Sequence, residues 1–361
     1  MAVVSFKCPN CDGELIFDPS SQGYKCEYCG SRFSQGELDA SGQAKAPSAD
    51  GGGVRDRTEA AAGETEPAAA GQEAVAYRCP SCGAEIVTDT TTAASFCYYC
   101  HNPVVLSGRL SGEYLPDKII PFRIAREEAE KAFLEYAGKK KFVPGAFFCK
   151  RQIESLTGVY FPYWVYDVEM DGSLHADARH IRIWRSGELE YTETRHYAVE
   201  RSGKVCLSNL AERALQKANA KLAEGVMPYR SDEAKEFHMG YLSGFLAERR
   251  DIGQAGVREK MLGEMRRSAE RLLRETVSGD DSVSIHNLHI KAEKETWSYM
   301  LFPVWTITYK GRDGKIYYYS MNGQTGKVCG ELPVDYVRLT LASFLLAVVV
   351  LALGLVGGYF L

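Results

Sequence analysis

Beyond residue 109 the apolar positions recur with two different periods. Lys118-Ile119-Ile120-Pro121-Phe122 reads as a strand, and Arg126 to Tyr136 as an amphipathic helix with Ala129, Ala132, Phe133 and Tyr136 on one face. Residues 159–170, 174–185 and 189–201 alternate as strands do, with Asp171-Gly172 and Ser186-Gly187 as the turns between them. Helical spacing follows over 209–223, 231–248 and 256–277, and strand spacing returns over 283–291, 297–309, 315–321 and 326–331. Blocks of strands separated by a block of helices predict an α+β domain.

The two strand blocks carry an internal repeat. Phe161-Pro162-Tyr163-Trp164 recurs as Phe302-Pro303-Val304-Trp305, and Gly203-Lys204-Val205-Cys206 as Gly326-Lys327-Val328-Cys329. Two related β meanders with a helical insertion between them account for this pattern. The prolines belong at strand edges or bulges, since they cannot donate to a ladder. The aromatics read as core.

The pattern changes at both ends of this domain. Leu339 to Leu361 contains 23 residues without a charge. As a helix it spans about 34 Å, against about 30 Å for the hydrocarbon core of a bilayer. Arg338 and Tyr336 suit its entry and Tyr359 the far interface. With nothing polar after Leu361, it reads as a tail anchor. Gly354 and Gly358 form a G-x-x-x-G pair suited to packing against another helix. Towards the N-terminus, residues 37–76 are rich in Ala, Gly and Glu, and Leu38, Val54 and Val75 are their only large aliphatics. Such a segment buries too little apolar surface to offset its chain entropy and is expected to be a flexible tether, with a reach of about 35 Å. The expected organisation is ribbon one at 1–36, linker at 37–76, ribbon two at 77–108, the α+β domain at 109–335 and a transmembrane helix at 336–361.

The ribbons are read from the cysteines. Eight of the 11 cysteines form two copies of one pattern. Cys8-x2-Cys11 is followed after fourteen residues by Cys26-x2-Cys29. Cys79, Cys82, Cys97 and Cys100 repeat it 71 positions later. Two residues between cysteines let one tight turn present two thiolates to an ion, and a second such turn completes a tetrahedron with zinc–sulfur distances of about 2.3 Å. Pro9 and Pro80 stiffen the first turn, and Gly13 and Gly83 relax the chain leaving it. Four protein ligands leave no open position, so each site is structural and the chain is expected to hold two zinc ions. Two rival readings fail. Cys97-Tyr98-Tyr99-Cys100-His101 matches the haem-attachment string, but that chemistry would orphan Cys79 and Cys82, and a thioredoxin-like dithiol lacks its βαβ setting. Cys149, Cys206 and Cys329 have no ligand spacing and are expected to be small buried residues.

Nothing near Met1 resembles a signal peptide, which places the N-terminal region in a reducing cytosol where thiolates stay available to metal. Net charge is −4. Residues 1–36 carry −1 and residues 76–108 also −1 before the metal sites are counted, and each four-thiolate zinc site adds −2. A nucleic-acid-binding module shows a basic stripe instead, so binding to nucleic acid is disfavoured, although a membrane-tethered nucleic-acid-binding ribbon protein is the alternative reading. Lys139-Lys140-Lys141, Arg249-Arg250 and Arg266-Arg267 read as solvated faces. Gly323-Gln324-Thr325-Gly326-Lys327 is a hairpin turn rather than a phosphate loop, because Met321 and Val328 replace the first glycine and the Ser/Thr. His175 and His180, like His286 and His289, are expected on opposite faces of their strands. No catalytic constellation and no small-molecule substrate site emerge, and the chain is expected not to be an enzyme. Each ribbon is too small to bury all its aromatics, so Phe17, Tyr24, Tyr28 and Phe33 in the first and Phe96, Tyr98 and Tyr99 in the second are expected to offer docking side chains.

The chain as a whole resembles a family of membrane-anchored bacterial proteins with tandem N-terminal zinc ribbons, common in Gram-positive lineages. The resemblance rests on the paired ribbons, on Thr157-Gly158-Val159-Tyr160-Phe161-Pro162-Tyr163-Trp164, and on Tyr241-Leu242-Ser243-Gly244-Phe245-Leu246-Ala247-Glu248. It rests further on Asn322-Gly323-Gln324-Thr325-Gly326-Lys327-Val328 with Gly330-Glu331-Leu332-Pro333, and on the terminal hydrophobic helix. Members are described as transcription-factor-type ribbon proteins or primosomal helicases, and the missing phosphate loop disagrees with a helicase here. The resemblance implies non-enzymatic work as an adaptor or scaffold on the cytoplasmic face of the membrane. Its implied partners are SPFH-domain (flotillin-like), TPM-domain and phage-shock-type proteins in envelope stress.

Overall fold

A computed structural model describes residues 6–40, 74–79, 85–97, 103–144, 153, 155–216, 224–277, 282–311 and 314–359. The architecture is mixed α+β and mostly sheet. In the first ribbon β1 (Leu15–Asp18), β2 (Gly23–Cys26) and β3 (Arg32–Phe33) form a small sheet, followed by α1 (Gln35–Ala40). β4 (Ala74–Arg78) and β5 (Glu85–Asp89) pair with each other, and β6 (Thr92–Phe96) pairs with β7 (Pro103–Val105). Next come β8 (Lys118–Ile119), α2 (Arg126–Gly138), β9 (Thr157–Ser186) and β10 (Leu189–Arg213). β11 (Lys235–Glu236), β12 (Leu246–Glu248), α3 (Gln254–Glu275), β13 (Ser282–Lys310), β14 (Ile316–Asn322), β15 (Val328–Gly330) and α4 (Tyr336–Tyr359) complete the described elements.

Two strands dominate. β9 has 30 residues and β13 has 29; a strand of that length has a contour of about 100 Å. They pair antiparallel from Thr157↔Thr306 to Arg179↔Ser282, and the two copies of the Phe-Pro-x-Trp repeat face each other directly, with Phe161 opposite Phe302. β10 and then β12 flank β9 on its other side, while β8 and then β14 flank β13. Each repeat proline lies where one flanking partner stops and the next begins. The Pro162 carbonyl accepts from Ala214 beyond the end of β10, and the Pro303 carbonyl accepts from Gly323 at the end of β14. No ladder donor is demanded at either position, so proline is tolerated within a central strand.

Several expected boundaries are corrected. There is no turn at Asp171-Gly172: β9 continues through it, and Gly172 serves close packing, since a Cβ there would stand 2.9 Å from Leu273 of α3. The gap expected between 283–291 and 297–309 is likewise bridged, because β13 is one strand with bulges after Ile285 and after Ala292. Residues 209–213 extend β10 instead of opening a helix, and the rest of that expected helix lies largely outside the described residues. The helix expected over 231–248 is replaced by short 3-10 turns and the strands β11 and β12. Tertiary contacts with the first ribbon decide this segment. The Ser186-Gly187 turn holds, with Gly187 at φ 64° and Ser186 opposite Leu189. The helix expected over 256–277 is α3. The GKVC copies take inequivalent places: Val205 pairs with Met170 in β10, next to β9, whereas Val328 pairs with Met321 one strand further out. The second meander therefore has a strand that the first lacks.

The bulge after Ile285 also overturns the expected placing of the histidines. It shifts the alternation so that His286 joins His289 on the exposed face, where His286 Nε2 lies 2.7 Å from Asp177. Cys206 is exposed rather than buried, because its side chain is on the outward face of β10; Cys329 is half-buried, and Cys149 lies outside the described residues.

The core is aromatic. Phe122 stacks on Phe245 with ring centroids 4.2 Å apart and meets Tyr160 and Trp305 at 5.0 Å each. On the other side of the sheet Phe302 packs between Tyr163 and Tyr229. Gly158 lies under this cluster, where a Cβ would come within 2.6 Å of the Phe245 ring. Gly158→Ala is therefore expected to destabilise the protein by about 1–3 kcal/mol through overpacking. Gly203→Ala, with open space at its Cβ position, should leave stability unchanged or slightly higher; urea melts of the detergent-solubilised chain compare the two directly.

Candidate metal centre

Both cysteine turns of the first ribbon have the same backbone geometry. The Cys8 carbonyl accepts from Asp12 and the Cys26 carbonyl from Gly30, while the Cys8 N–H donates to Gly13 and the Cys26 N–H to Ser31. Each turn closes on a residue at positive φ, Asp12 at 59° and Gly30 at 72°. Gly13, expected to relax the chain, instead seats the Tyr28 ring, which a Cβ at this position would meet at 2.9 Å.

These turns bring Cys8, Cys11, Cys26 and Cys29 together, with all four sulfurs within 4.8 Å of one another. Cys8 and Cys29 are 3.6 Å apart and Cys11 and Cys26 3.5 Å. A tetrahedron with zinc–sulfur bonds of about 2.3 Å has edges of about 3.8 Å, so the donor set fits zinc. Cys8 and Cys26 are buried and Cys11 and Cys29 exposed. The Cys29 thiol is held down to about 6, first by the Ser31 hydroxyl 3.1 Å away and then by the Ser31 backbone N–H. The Gly13 backbone N–H acts to lower Cys11, but the thiols of Cys29, Cys26 and Cys8 outweigh it and push Cys11 up to about 12. Four thiolates cannot share so small a volume without a cation to neutralise them.

The ribbon is not free-standing. The Phe17 N–H donates to the Ser243 carbonyl at 3.0 Å, and the Ser243 hydroxyl donates to the Leu15 carbonyl at 2.5 Å. Phe17 packs edge-on against Tyr241 at 5.1 Å. The Tyr24 hydroxyl donates to Gln35, whose amide lies 3.2 Å from His238 Nδ1. Gly240 admits Tyr24, since a Cβ there would fall 2.2 Å from its hydroxyl, and Gly244, at φ 87°, packs beside Ile16. A regular helix over this segment could not offer the Ser243 carbonyl and hydroxyl together to β1. Phe17 and Tyr24 are buried by the contact, which removes them from the expected docking surface, and Phe33 is half-buried. Tyr28 alone of the four is fully open, at 81% exposure.

In the second ribbon Cys79 and Cys97 are buried together with Tyr77, Val104 and Leu106. Arg109, itself buried, donates to the Tyr77 hydroxyl and the Thr92 carbonyl. Cys82, Cys100, Tyr98 and Tyr99 lie outside the described residues. This ribbon also enters the main sheet, because β6 pairs with β12 at Ala94↔Ala247. Within the first ribbon the Lys7 pKa is raised, first by the hydrogen bond to Glu14 at 2.6 Å, against desolvation.

At the other end of the chain, α4 contains a 20-residue stretch, Tyr336–Leu355, long and apolar enough to cross a membrane, with none of it buried against the rest of the protein. Arg338 is paired with Asp335 at its start.

The chain is similar to an uncharacterized protein of Bacillus subtilis strain 168, YdjG, with 29% identity over 333 residues that cover 92% of this chain and 91% of that protein. No family model matches the chain. No solved structure matches it.

Structural zinc contributes about 10–16 kcal/mol to a small ribbon, against about 1 kcal/mol for each hydrogen bond of the docked contact. A zinc ion held by these four cysteines would therefore be a major contributor to the ribbon's folding, beside the burial of Leu15, Phe17 and Tyr24. Cys26→Ser should remove one equivalent of zinc by elemental analysis and also speed hydrogen exchange across residues 239–245. Zinc loss with unchanged exchange there would mean that the contact does not depend on the folded ribbon.

Proposed function

We propose that the protein is a membrane-anchored, non-enzymatic zinc-ribbon adaptor that gathers protein partners at the cytoplasmic face of the membrane. Tyr28 is the observation that carries this reading. It sits on the second cysteine turn, its ring packed on Gly13 and 81% exposed. A large aromatic held on a metal-braced turn loses little conformational freedom on binding, which suits an interface anchor. The second ribbon would hold its own zinc through Cys79, Cys82, Cys97 and Cys100, for two ions per chain. Tyr99 would be the counterpart of Tyr28, with Tyr98 beside it on the same turn. The apolar α4 would hold this assembly at the bilayer, with the thiolate sites on the reducing side. SPFH-domain, TPM-domain and phage-shock-type proteins are the partner classes that the sequence resemblance implies.

The variant Tyr28→Ser, in the full chain solubilised from membranes, should recover several-fold less of any co-purifying partner while zinc content stays at the wild-type value. Unchanged recovery with zinc retained excludes this turn as the docking surface. If the wild-type protein instead binds DNA or RNA with affinity falling steeply as salt rises, the nucleic-acid reading replaces the adaptor. Deletion of residues 336–361 should release the protein from membranes into the soluble fraction, whereas the full chain should resist carbonate extraction. A full chain that washes off in carbonate would exclude α4 as a membrane span.

A further inference from the structure

β10 is an edge along its whole length. Its inner side pairs with β9 from Leu189↔Ser186 to Arg213↔Tyr163, and no other described strand pairs with its outer side. Among the described residues β13 reaches no further than Ser282 opposite Arg179, and beyond it β9 and β10 pair only with each other. α3 covers one face of the ribbon near Gly172, where Leu273 packs. Further out, that same face presents Leu189, Tyr191, Tyr197 and Trp184 to solvent, 62%, 43%, 43% and 42% exposed. Trp184 and Tyr191 are stacked at 5.5 Å. A long open edge beside an uncovered apolar face is an arrangement that proteins normally blunt or cover.

The outer edge is complementary to itself. On the aromatic face β10 reads Leu189, Tyr191, Glu193, Arg195, Tyr197, Val199. We infer that a second copy of this chain pairs antiparallel along β10, about a two-fold axis at Thr194. Glu193 then faces Arg195 of the second copy, Tyr191 faces Tyr197, and Leu189 faces Val199, with every pair made twice by symmetry. Thr192 faces His196 on the opposite side of the sheet. Opposite charges and aromatic pairs across strands are the stabilising combinations. The Glu193–Arg195 ion pair within one chain, 2.9 Å long and exposed, is already in place to form a four-charge cluster. Shifting the axis by one residue in either direction sets Glu193 against Glu193 or Arg195 against Arg195, so the charges select the register. The like-charged pair Glu188–Glu200 falls at the ends of the ladder, where Glu200 also lies 3.9 Å from His175. Joined this way, the aromatic faces of the two hairpins form one continuous surface, and the free edge is covered over residues 189–199.

The test is cross-linking of the full chain in membranes and in detergent, in a Cys206→Ser background because Cys206 is exposed on the same strand. Thr194→Cys stands on the axis and should give a disulfide-linked dimer under mild oxidation. Ser202→Cys, eight residues from the axis, should give none. Glu193→Arg should lower the Thr194→Cys dimer yield about tenfold, and adding Arg195→Glu should restore it, with zinc content confirming that each variant is folded. Equal yields at 194 and 202, a maximum at another position, or no effect of Glu193→Arg would overturn the pairing. A Thr194→Cys cross-link to a different protein would show that the edge receives a foreign strand and would overturn the second copy as its partner.

Discussion

The antiparallel pairing of β9 with β13 at the two Phe-Pro-x-Trp segments is the contact on which the rest of the structure depends. β10, β12, β8 and β14 all attach to one or other of these strands, and the aromatic cluster of Phe122, Tyr160, Phe245 and Trp305 forms over the place where they meet. The strands join residues more than a hundred positions apart in the chain. Such a contact has a high loop-closure cost, and only the large apolar area buried by the aromatics on both faces offsets it. This explains why the sheet is buried on both sides at its base and on one side only further along β9.

The first ribbon extends that core, while residues 41–73, most of the expected tether, lie outside the described residues. Leu15, Phe17 and Tyr24 belong to the same hydrophobic cluster as Phe122 and Trp305. The Tyr241-Leu242-Ser243-Gly244-Phe245 segment works in two directions: Tyr241 and Ser243 hold the ribbon, while Phe245 lies over Gly158 in the sheet. The candidate metal site and the β-sheet are thereby coupled through five consecutive residues. The coupling leaves Tyr28 as the open aromatic of this ribbon among the described residues, and it fixes the backbone that carries that side chain relative to the main sheet.

Among the described residues, the two surfaces proposed for interaction differ in physical character. Tyr28 is a single rigid aromatic on a polar turn, suited to a pocket. The β10 edge offers backbone hydrogen bonding over a long line, with side chains that set the register. In the proposed reading, a membrane-anchored scaffold uses both, one for partners and one for its own second copy. Confinement by α4 to a plane would raise the effective concentration of chains and favour the weaker of the two contacts.

The cysteine spacing alone predicted which four thiols would meet in the first ribbon, because a two-residue turn restricts where its two sulfurs can point. The length and uniform apolarity of the last residues likewise determined α4, since those properties are local. Tertiary contacts decided the rest. Gly172 reads as a turn residue until Leu273 is found against it, and residues 231–248 read as a helix until the ribbon takes their carbonyl and hydroxyl groups. Phe17 and Tyr24 look like surface anchors until Tyr241 and Gly240 cover them, and His286 changes face only because of a bulge. Local spacing states which groups a segment can present, whereas burial, register and strand continuity depend on partners far away in the sequence, and those partners are chosen by packing.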